Sequence, residues 1–146
     1  MLKKYFRTNV IAVVIASLCL VYISPSANAE PSTILGTTGT DPFRITIDSS
    51  GNIYTANEGA NNVSKITPQG VSSILGTTGD CPNDMTIDSS GNIYTANSGG
   101  NNVTKITPQG VSSILGTTGT SPSGITIDSS GNIYTCLLYT SDAADE

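Results

Sequence analysis

The sequence is a tandem repeat, and its fixed period limits the folds open to the chain. The string Ile-Leu-Gly-Thr-Thr-Gly begins at Ile34, at Ile74 and at Ile114. The string Asp-Ser-Ser-Gly-Asn-Ile-Tyr-Thr recurs from Asp48 with the same spacing. Residues 32–71 and 72–111 are identical at 31 of 40 positions, and 112–135 form a partial third repeat. A period of about 40 residues is typical of solenoids and β-propellers.

Each repeat has the sequence pattern of four strands and two hairpins. Segments rich in β-branched and aromatic residues predict the strands, which we label A, B, C and D in each repeat. In the first repeat they cover 44–48, 52–56, 62–67 and 71–75. The turns at 48–51 and 67–70 carry Asp or Pro and then Gly where a type I turn prefers them. Four antiparallel strands make one propeller blade.

The predicted fold class is therefore all-β, built of four-stranded antiparallel propeller blades. A β-solenoid is the alternative, but its rungs are usually shorter and do not contain two hairpins each. A lone D strand at 32–35 precedes the two full repeats. Since propellers need about four to eight blades to close, these repeats predict a truncated ring that is not closed.

The segment 1–29 has the sequence pattern of a secretory signal peptide. Three basic residues come before position 8, an apolar run covers 10–23, and the tripeptide Ala-Asn-Ala ends at Ala29. An uncleaved membrane anchor is the alternative, but it needs about 20 apolar residues. We therefore expect a secreted or periplasmic chain that begins at Glu30 and has no membrane span after cleavage.

The end of the sequence departs from the repeat. The third repeat matches through Thr135, but Cys136 then stands where the first two repeats have Ala. The string 136–146 resembles the translation of a transposase-type sequencing adaptor. We expect it to be a non-native tail after a partial β-propeller over 30–135, and a genuine divergent terminus is the alternative.

The composition excludes some classes of function. The chain contains no histidine, which is the commonest general base. Its net charge of −5 makes nucleic acid an unlikely partner, because phosphate binding needs basic residues. Three cysteines do not make a disulfide framework, since one lies in the leader and one in the expected tail.

The motifs resemble a known repeat family. Pro-x-x-Ile-x-Ile-Asp-x-x-Gly-Asn-Ile-Tyr from Pro42, followed by Asn-Asn-Val-x-Lys-Ile-Thr-Pro-x-Gly, resembles the NHL-type repeat of six-bladed β-propellers. It is also similar to virginiamycin B lyase-like and gluconolactonase-like propellers. The family usually has Gly before the first Ile of strand A. Gly124 matches that pattern, whereas Arg44 and Asp84 depart from it.

The resemblance carries no catalytic residue over to this chain. The lyase branch depends on a histidine, which this sequence lacks. A lactonase-type site would hold a divalent metal in the channel of the full-length ring through Asp, Glu and Asn oxygens. The catalytic residues therefore stay unknown, and no metal ligand is assigned within this sequence.

The differences between the repeats are concentrated on one side of the predicted blades. Seven of the nine differences between the two full repeats fall at 40–45 or 58–60. We call these loops and their equivalents in the later repeats the varied rim. The A–B and C–D turns, at 48–51 and 67–70 and their equivalents, form the fixed rim. The candidate binding residues of the varied rim are Arg44, Asn83, Asp84 and Glu58.

Two classes of function remain open. The first is a binding or scaffold module that holds a protein, a peptide or a small polar ligand on the varied rim. The second is a metal-dependent propeller enzyme, lactonase-like or lyase-like, whose catalytic residues lie mostly in blades outside this sequence. A third interpretation needs no ligand, because longer loops accept substitutions more freely than tight turns do.

Overall fold

The computed structural model describes residues 34–138. The predicted signal peptide at 1–29 and most of the predicted tail lie outside the described residues. Within them the chain forms two four-stranded sheets and one two-stranded sheet, all antiparallel. The first sheet contains β1 (Pro42–Ile47), β2 (Ile53–Asn57), β3 (Asn62–Ile66) and β4 (Ser72–Thr77). The second contains β5 (Pro82–Ile87), β6 (Ile93–Asn97), β7 (Asn102–Ile106) and β8 (Ser112–Thr117), and the third pairs β9 (Pro122–Ile127) with β10 (Ile133–Leu137).

The predicted all-β blades are confirmed. Each full sheet runs in sequence order from strand A to strand D, as two hairpins per repeat require. The observed strands lie within two residues of the predicted ones. Strand A begins two residues early, because a bulge between Pro42 and Arg44 lets the proline open the strand.

One predicted strand is absent from the described part of the chain. Ile34 and Leu35, the described half of the lone D strand predicted at 32–35, are not in a strand, and Ile34 is 91% exposed. In the full blades strand D pairs with the strand C before it. The segment that begins at Ile34 lies instead along the first sheet, where the amide of Thr37 donates to Oγ of Ser72 at 2.8 Å.

The turns have the geometry that their sequences predict. The amide of Gly51 donates to the carbonyl of Asp48 at 3.0 Å, and the amide of Gly70 donates to that of Thr67 at 2.8 Å. Both glycines are left-handed, with φ of +80° and +84°. This conformation strains other residues, which explains why glycine recurs at both positions in the two full repeats.

Consecutive sheets pack face to face. Tyr54, Ala56 and Val63 of the first sheet form a buried cluster that includes Met85 and Ile93 of the second. An equivalent cluster joins the second sheet to the two-stranded sheet. The strand A of each repeat, β1, β5 or β9, lies at the edge of its sheet next to the strand A of the neighbouring repeat, and we call these three the innermost strands. No helix within residues 34–138 is long and apolar enough to cross a bilayer.

Candidate functional site

The structure joins the varied loops to one another on one rim of the blades. In the first blade the amide of Glu58 donates to the carbonyl of Asp41 at 2.9 Å. In the second blade the amide of Ser98 makes the same bond to Cys81, also at 2.9 Å. The loop between strands B and C is thereby fixed against the loop that enters strand A. Substitutions in these two loops therefore change one connected surface.

Arg44 and Asp84 form an ion pair between neighbouring blades. They occupy equivalent positions on β1 and β5, and Nε of Arg44 lies 3.6 Å from Oδ1 of Asp84. The Arg44 side chain is 49% exposed and that of Asp84 is 26% exposed. A partly exposed pair at this distance contributes little to stability by itself. Its clearer effect is to hold the guanidinium beside the innermost strands.

Asp84 also reaches the third repeat. Its second carboxylate oxygen, Oδ2, accepts a hydrogen bond from the backbone amide of Ile125 at 2.9 Å. One side chain therefore contacts the innermost strands of the preceding and the following repeat. Because both of its carboxylate oxygens have partners within the protein, Asp84 is placed to position Arg44 and strand β9. Arg44, which is more exposed, is the better candidate for direct contact with a ligand.

Phe43 adds apolar surface beside the guanidinium. The Arg44 guanidinium carbon lies 4.8 Å from the centroid of the Phe43 ring, within the range of a cation–π contact. The ring is 49% exposed. Phe43 is not among the residues predicted from the sequence, although its replacement by Asn83 in the next repeat was a signal for it.

The other two predicted site residues are not joined to this pair. Asn83 is half-buried on β5, and Glu58 is half-buried in the short 3₁₀ turn Glu58–Ala60. Among residues 34–138, no hydrogen bond or ion pair links either side chain to Arg44 or Asp84. The structure therefore brings together two of the four predicted residues and leaves the other two elsewhere on the varied rim.

A network of buried polar side chains connects strand B, strand C and the segment that leads into the varied rim. Asn57 is fully buried, and its Nδ2 donates to Oδ1 of Asn62 at 2.7 Å and to Oγ of Ser64 at 2.8 Å. The amide of Gly39 donates to the same Ser64 oxygen at 3.1 Å. The second blade repeats these contacts around Asn97. Sequence reasoning missed this network, although an Asn ends strand B in both full repeats.

The position equivalent to Asn57 and Asn97 after the third repeat is Leu137, the last residue of β10, which lies in the expected non-native tail at 136–146. An apolar side chain cannot make the amide hydrogen bonds of Asn57 and Asn97. The polar support of the varied rim is therefore confined, within residues 34–138, to the two full blades.

The fixed rim is organised by aspartates. Oδ1 of Asp48 accepts from the amides of Ser50 at 2.9 Å and Asn52 at 2.8 Å. Oδ2 accepts from Nδ2 of Asn52 at 2.8 Å and from the hydroxyl of Tyr54 at 3.0 Å. Burial acts to raise the pKa of Asp48, but these hydrogen bonds outweigh it and lower the pKa below the usual value. The recurrence of Asp48 in each repeat is therefore explained by its hydrogen bonds to the turn and to strand B.

A groove of about 490 Å³ lies between the first two blades on the fixed rim. It is lined by the turn residues around Asp48 and Asp88, together with Tyr54, Lys65 and Pro108. Nζ of Lys65 lies 5.7 Å from the centroid of the Tyr54 ring. These side chains recur with the repeat, so the groove is a product of blade stacking.

No group of three or more Cys, Asp or Glu side chains within residues 34–138 is arranged to hold a metal ion. A metal site of the lactonase type would need ligands beyond those that the structure describes. The loops of the varied rim carry one cation, Arg44, several carboxylates and the exposed Phe43 ring.

Comparisons with known proteins support the β-propeller fold. A family model described as beta-propeller repeat matches residues 112–136. The sequence has no significant match among curated proteins.

Several solved structures share the fold. A catalytically inactive histidine-to-alanine variant of virginiamycin B lyase from Staphylococcus aureus, solved with quinupristin, is 25% identical with a TM-score of 0.56. The match covers 70% of this chain and 43% of that one. A streptogramin B lyase structure is 22% identical with a TM-score of 0.53, and covers 68% of this chain and 41% of that one. Hydrazine synthase from Kuenenia stuttgartiensis is 20% identical with a TM-score of 0.57, over 74% of this chain and 32% of that one.

The sequence therefore spans less than half the length of these structures. The repeat, the sheet order and the stacking of the sheets agree with the family model and with the solved propellers. The chain is a β-propeller repeat protein, similar in fold to the streptogramin lyase-like propellers, and its described residues form two full blades and the first hairpin of a third.

Proposed function

We propose that this chain is part of an exported β-propeller that binds a peptide on its varied rim. The observation that carries the proposal is the position of Arg44. Its guanidinium lies beside the exposed Phe43 ring and is held by Asp84 next to the innermost strands. Export rests on the sequence of residues 1–29, which has the three parts of a signal peptide.

The charges of the varied rim favour a ligand that carries both signs. Arg44 is the single basic residue in the loops that define this rim. The acidic residues there are Asp41, Glu58, Asp80 and Asp84. A carboxylate on the ligand would pair with Arg44, and a basic group would pair with the acidic residues. A peptide with one acidic and one basic residue has this complementarity, and the Phe43 ring gives it an apolar surface to cover.

The ion pair leaves donors for such a ligand. A guanidinium has five N–H donors, and the contact with Asp84 is made through Nε. The two remaining nitrogens of Arg44 can bind a carboxylate of the ligand in the bidentate geometry that arginine favours. Asp84 supports this arrangement because the bond from the Ile125 amide fixes its carboxylate.

A peptide array tests the proposal. Hexapeptides with one Glu and one Lys at varied spacing are compared with versions that carry Gln for Glu or Met for Lys. The wild-type chain should bind a subset of the doubly charged peptides and lose affinity for both neutral versions. Arg44→Ala should abolish the preference for Glu, whereas Arg44→Lys should keep part of it. Equal binding of the Glu and Gln peptides by the wild type would contradict the proposal.

The second candidate is an enzyme of the streptogramin lyase kind. It is supported by the 25% identity to virginiamycin B lyase, whose structure contains quinupristin. Because the catalytic residues of such an enzyme would lie mostly in blades outside this sequence, the test uses the full-length protein, incubated with quinupristin and a divalent metal and followed by mass spectrometry. Conversion of quinupristin would favour the enzyme, and unchanged quinupristin together with peptide binding would favour the binding module.

A further inference from the structure

A left-handed residue stands before strand A in each described repeat. Asp41, Cys81 and Ser121 have φ of +48°, +53° and +50°, and each is followed by the proline that opens the strand. Positive φ strains residues other than glycine, and Cys and Ser lack the tolerance for it that Asn and Asp show. The residue type at this position differs in every repeat, whereas the conformation does not. Contacts from elsewhere in the protein must therefore hold the backbone here.

An asparagine of the preceding blade makes that contact. The amide of Cys81 donates to Oδ1 of Asn61 at 2.9 Å, and the amide of Ser121 donates to Oδ1 of Asn101 at 2.7 Å. Each asparagine ends the loop between strands B and C of the blade before. A bond from the backbone amide is available whatever the side chain is, so the residue type at this position can vary while the conformation is kept.

The asparagines are suited to this contact by their own conformation. Asn61 and Asn101 both have φ of +49°, which asparagine tolerates better than most residues do. The carbonyl of Asn61 also accepts from the amide of Thr78, and that of Asn101 from the amide of Thr118, both at 2.9 Å. Each asparagine thus binds the segment before the next strand A at two points. We call these two bonds the clip.

A short path leads from the clip to Asp84. Cys81 is followed by Pro82, which is fully buried, and β5 then has a bulge between Pro82 and Asp84. A residue that follows a fixed turn, a buried proline and a bulge has little freedom in the direction of its side chain. The Asp84 carboxylate depends on that direction to accept the bond from the Ile125 amide at 2.9 Å.

We propose that Asn61 and Asn101 are positioning residues of the varied rim, which hold the left-handed residue before the next strand A and thereby direct the varied side chains on that strand. Asn61 acts on Asp84 through the backbone, and Asp84 in turn pairs with Arg44. Ligand binding by these side chains rests on the proposed function, whereas their positioning by Asn61 does not.

Amide hydrogen exchange, measured by NMR on the full chain without a ligand, tests the positioning role. Asn61→Gly removes the carboxamide and leaves its own backbone unstrained, because glycine takes positive φ freely. Since one hydrogen bond is lost, the Cys81 amide should exchange about fivefold faster or more. The Ile125 amide should also exchange faster, because the Asp84 carboxylate that accepts from it is no longer held in place.

Asn101→Gly, the equivalent change one repeat later, gives the internal comparison. It should speed exchange of the Ser121 amide in the same way. The Cys81 amide keeps its bond to Asn61 in this variant and should stay within about twofold of its wild-type rate. A general loosening of the fold would speed both amides in both variants.

Two further variants separate positioning from added flexibility. Ala60→Gly puts glycine in the same loop, as Gly100 does in the second repeat, and leaves the clip intact, so exchange should match the wild type. Asn61→Gly combined with Cys81→Gly should return the Ile125 amide toward its wild-type rate, because glycine takes the left-handed conformation without the clip.

Peptide affinity is a separate measurement, made with the doubly charged hexapeptide that binds best in the array. Asn61→Gly should weaken this binding by about threefold or more, and the added Cys81→Gly should restore most of it. Unchanged affinity in Asn61→Gly would overturn its role in binding. An array without any binding peptide would contradict the proposed function alone, because the exchange rates decide the positioning role without a ligand.

The positioning role fails on any of three exchange results. An unchanged Cys81 amide in Asn61→Gly would show that the clip does not hold the left-handed residue. A faster Cys81 amide beside an unchanged Ile125 amide would confine the effect of Asn61 to its own contact. An Ile125 rate that Cys81→Gly does not restore would show that the left-handed conformation does not carry the effect to Asp84.

Discussion

The hydroxyl of Tyr54 donates a hydrogen bond to the carboxylate of Asp48 at 3.0 Å, which ties strand B to the turn that precedes it. Tyr94 makes the same bond to Asp88 at 3.0 Å, and Tyr134 makes it to Asp128 at 3.1 Å. Each aspartate also accepts bonds from its turn. The fixed rim therefore has a stability function that does not depend on any ligand, in contrast to the role that we propose for the varied rim.

Asp88→Ala should lower the free energy of unfolding by about 1–2 kcal/mol, because it leaves the turn amides and the Tyr94 hydroxyl without their acceptor. Ser89→Ala, an exposed change in the same turn, should stay within about 0.5 kcal/mol of the wild type. Urea unfolding followed by circular dichroism measures both. Equal stability of the two variants would remove the stability function from Asp88.

The contribution of Asp88 should depend on pH in the acid range. Burial acts to raise its pKa, but hydrogen bonds from Asn92, Tyr94 and Ser90 outweigh burial and lower the pKa below 3.8. A group with a lowered pKa in the folded state stabilises the protein above its ordinary pKa and loses that effect as the pH falls through the folded value. The difference in stability between wild type and Asp88→Ala should therefore shrink as the pH falls below 3.8. A difference that stays constant would contradict this.

The Tyr54 phenol should lose its proton at a higher pH than an ordinary tyrosine does. Burial, followed by the hydrogen bond to Asp48, raises its pKa from 10 to about 12. Because the folded state keeps the proton longer, the stability that this bond contributes is present below pH 10 and is lost as the pH rises toward about 12. Absorbance of tyrosinate near pH 11 should be lower for the wild type than for Asp48→Ala. Identical titration curves would show that Asp48 does not hold the phenol proton.

Asn97→Ala should destabilise the second blade by about 2 kcal/mol or more, because it removes the donor to Asn102 and Thr104 and leaves the buried Thr95 hydroxyl without its acceptor. The bonds to Asn102 and Thr104 measure 2.7 and 2.8 Å, and Asn97 is fully buried. Asn83→Ala, at a half-buried position on the neighbouring strand, should change the stability by less than about 0.5 kcal/mol. Thermal unfolding of the two variants side by side checks the contrast.

The sequence was a good guide to the features that repeat and a poor guide to contacts between repeats. The turn at Asp48 depends on residues that lie close to it in the chain, so its hydrogen bonds followed from local sequence alone. The ion pair of Arg44 with Asp84 joins equivalent positions of two repeats, and only the packing of the sheets brings them together. The buried role of Asn57 was missed because asparagine is usually exposed, and its burial depends on partners supplied by the next strand.

Two further details depended on context beyond the local sequence. Ile34 and Leu35 have the composition of strand D but form no strand, and the segment that follows them contacts the first sheet through the bond from the Thr37 amide to Ser72. The sequence placed the candidates on one set of loops, whereas their contacts, which the structure shows, differ from residue to residue. Asp84 makes contacts within the protein through both oxygens, and Arg44 keeps an exposed cation.

Expression of the full reading frame with its own leader in a bacterial host should give an exported chain that begins at Glu30. Ala27-Asn28-Ala29 is the well-placed small-x-small site after the apolar run. N-terminal sequencing of the protein recovered outside the cytoplasm measures this. Retention of Met1 would support the membrane anchor instead.

One paired measurement tests most directly the proposal that the varied rim binds a ligand while the fixed rim stabilises the fold. The affinity for the best doubly charged array peptide and the melting temperature are measured for wild type, Arg44→Ala and Asp88→Ala. We predict that Arg44→Ala weakens binding by about tenfold or more, as the loss of a charge-assisted contact requires, with little change in melting temperature. Asp88→Ala should lower the melting temperature and keep the affinity. Wild-type affinity in Arg44→Ala would contradict the account and leave the varied rim as loops that have merely diverged.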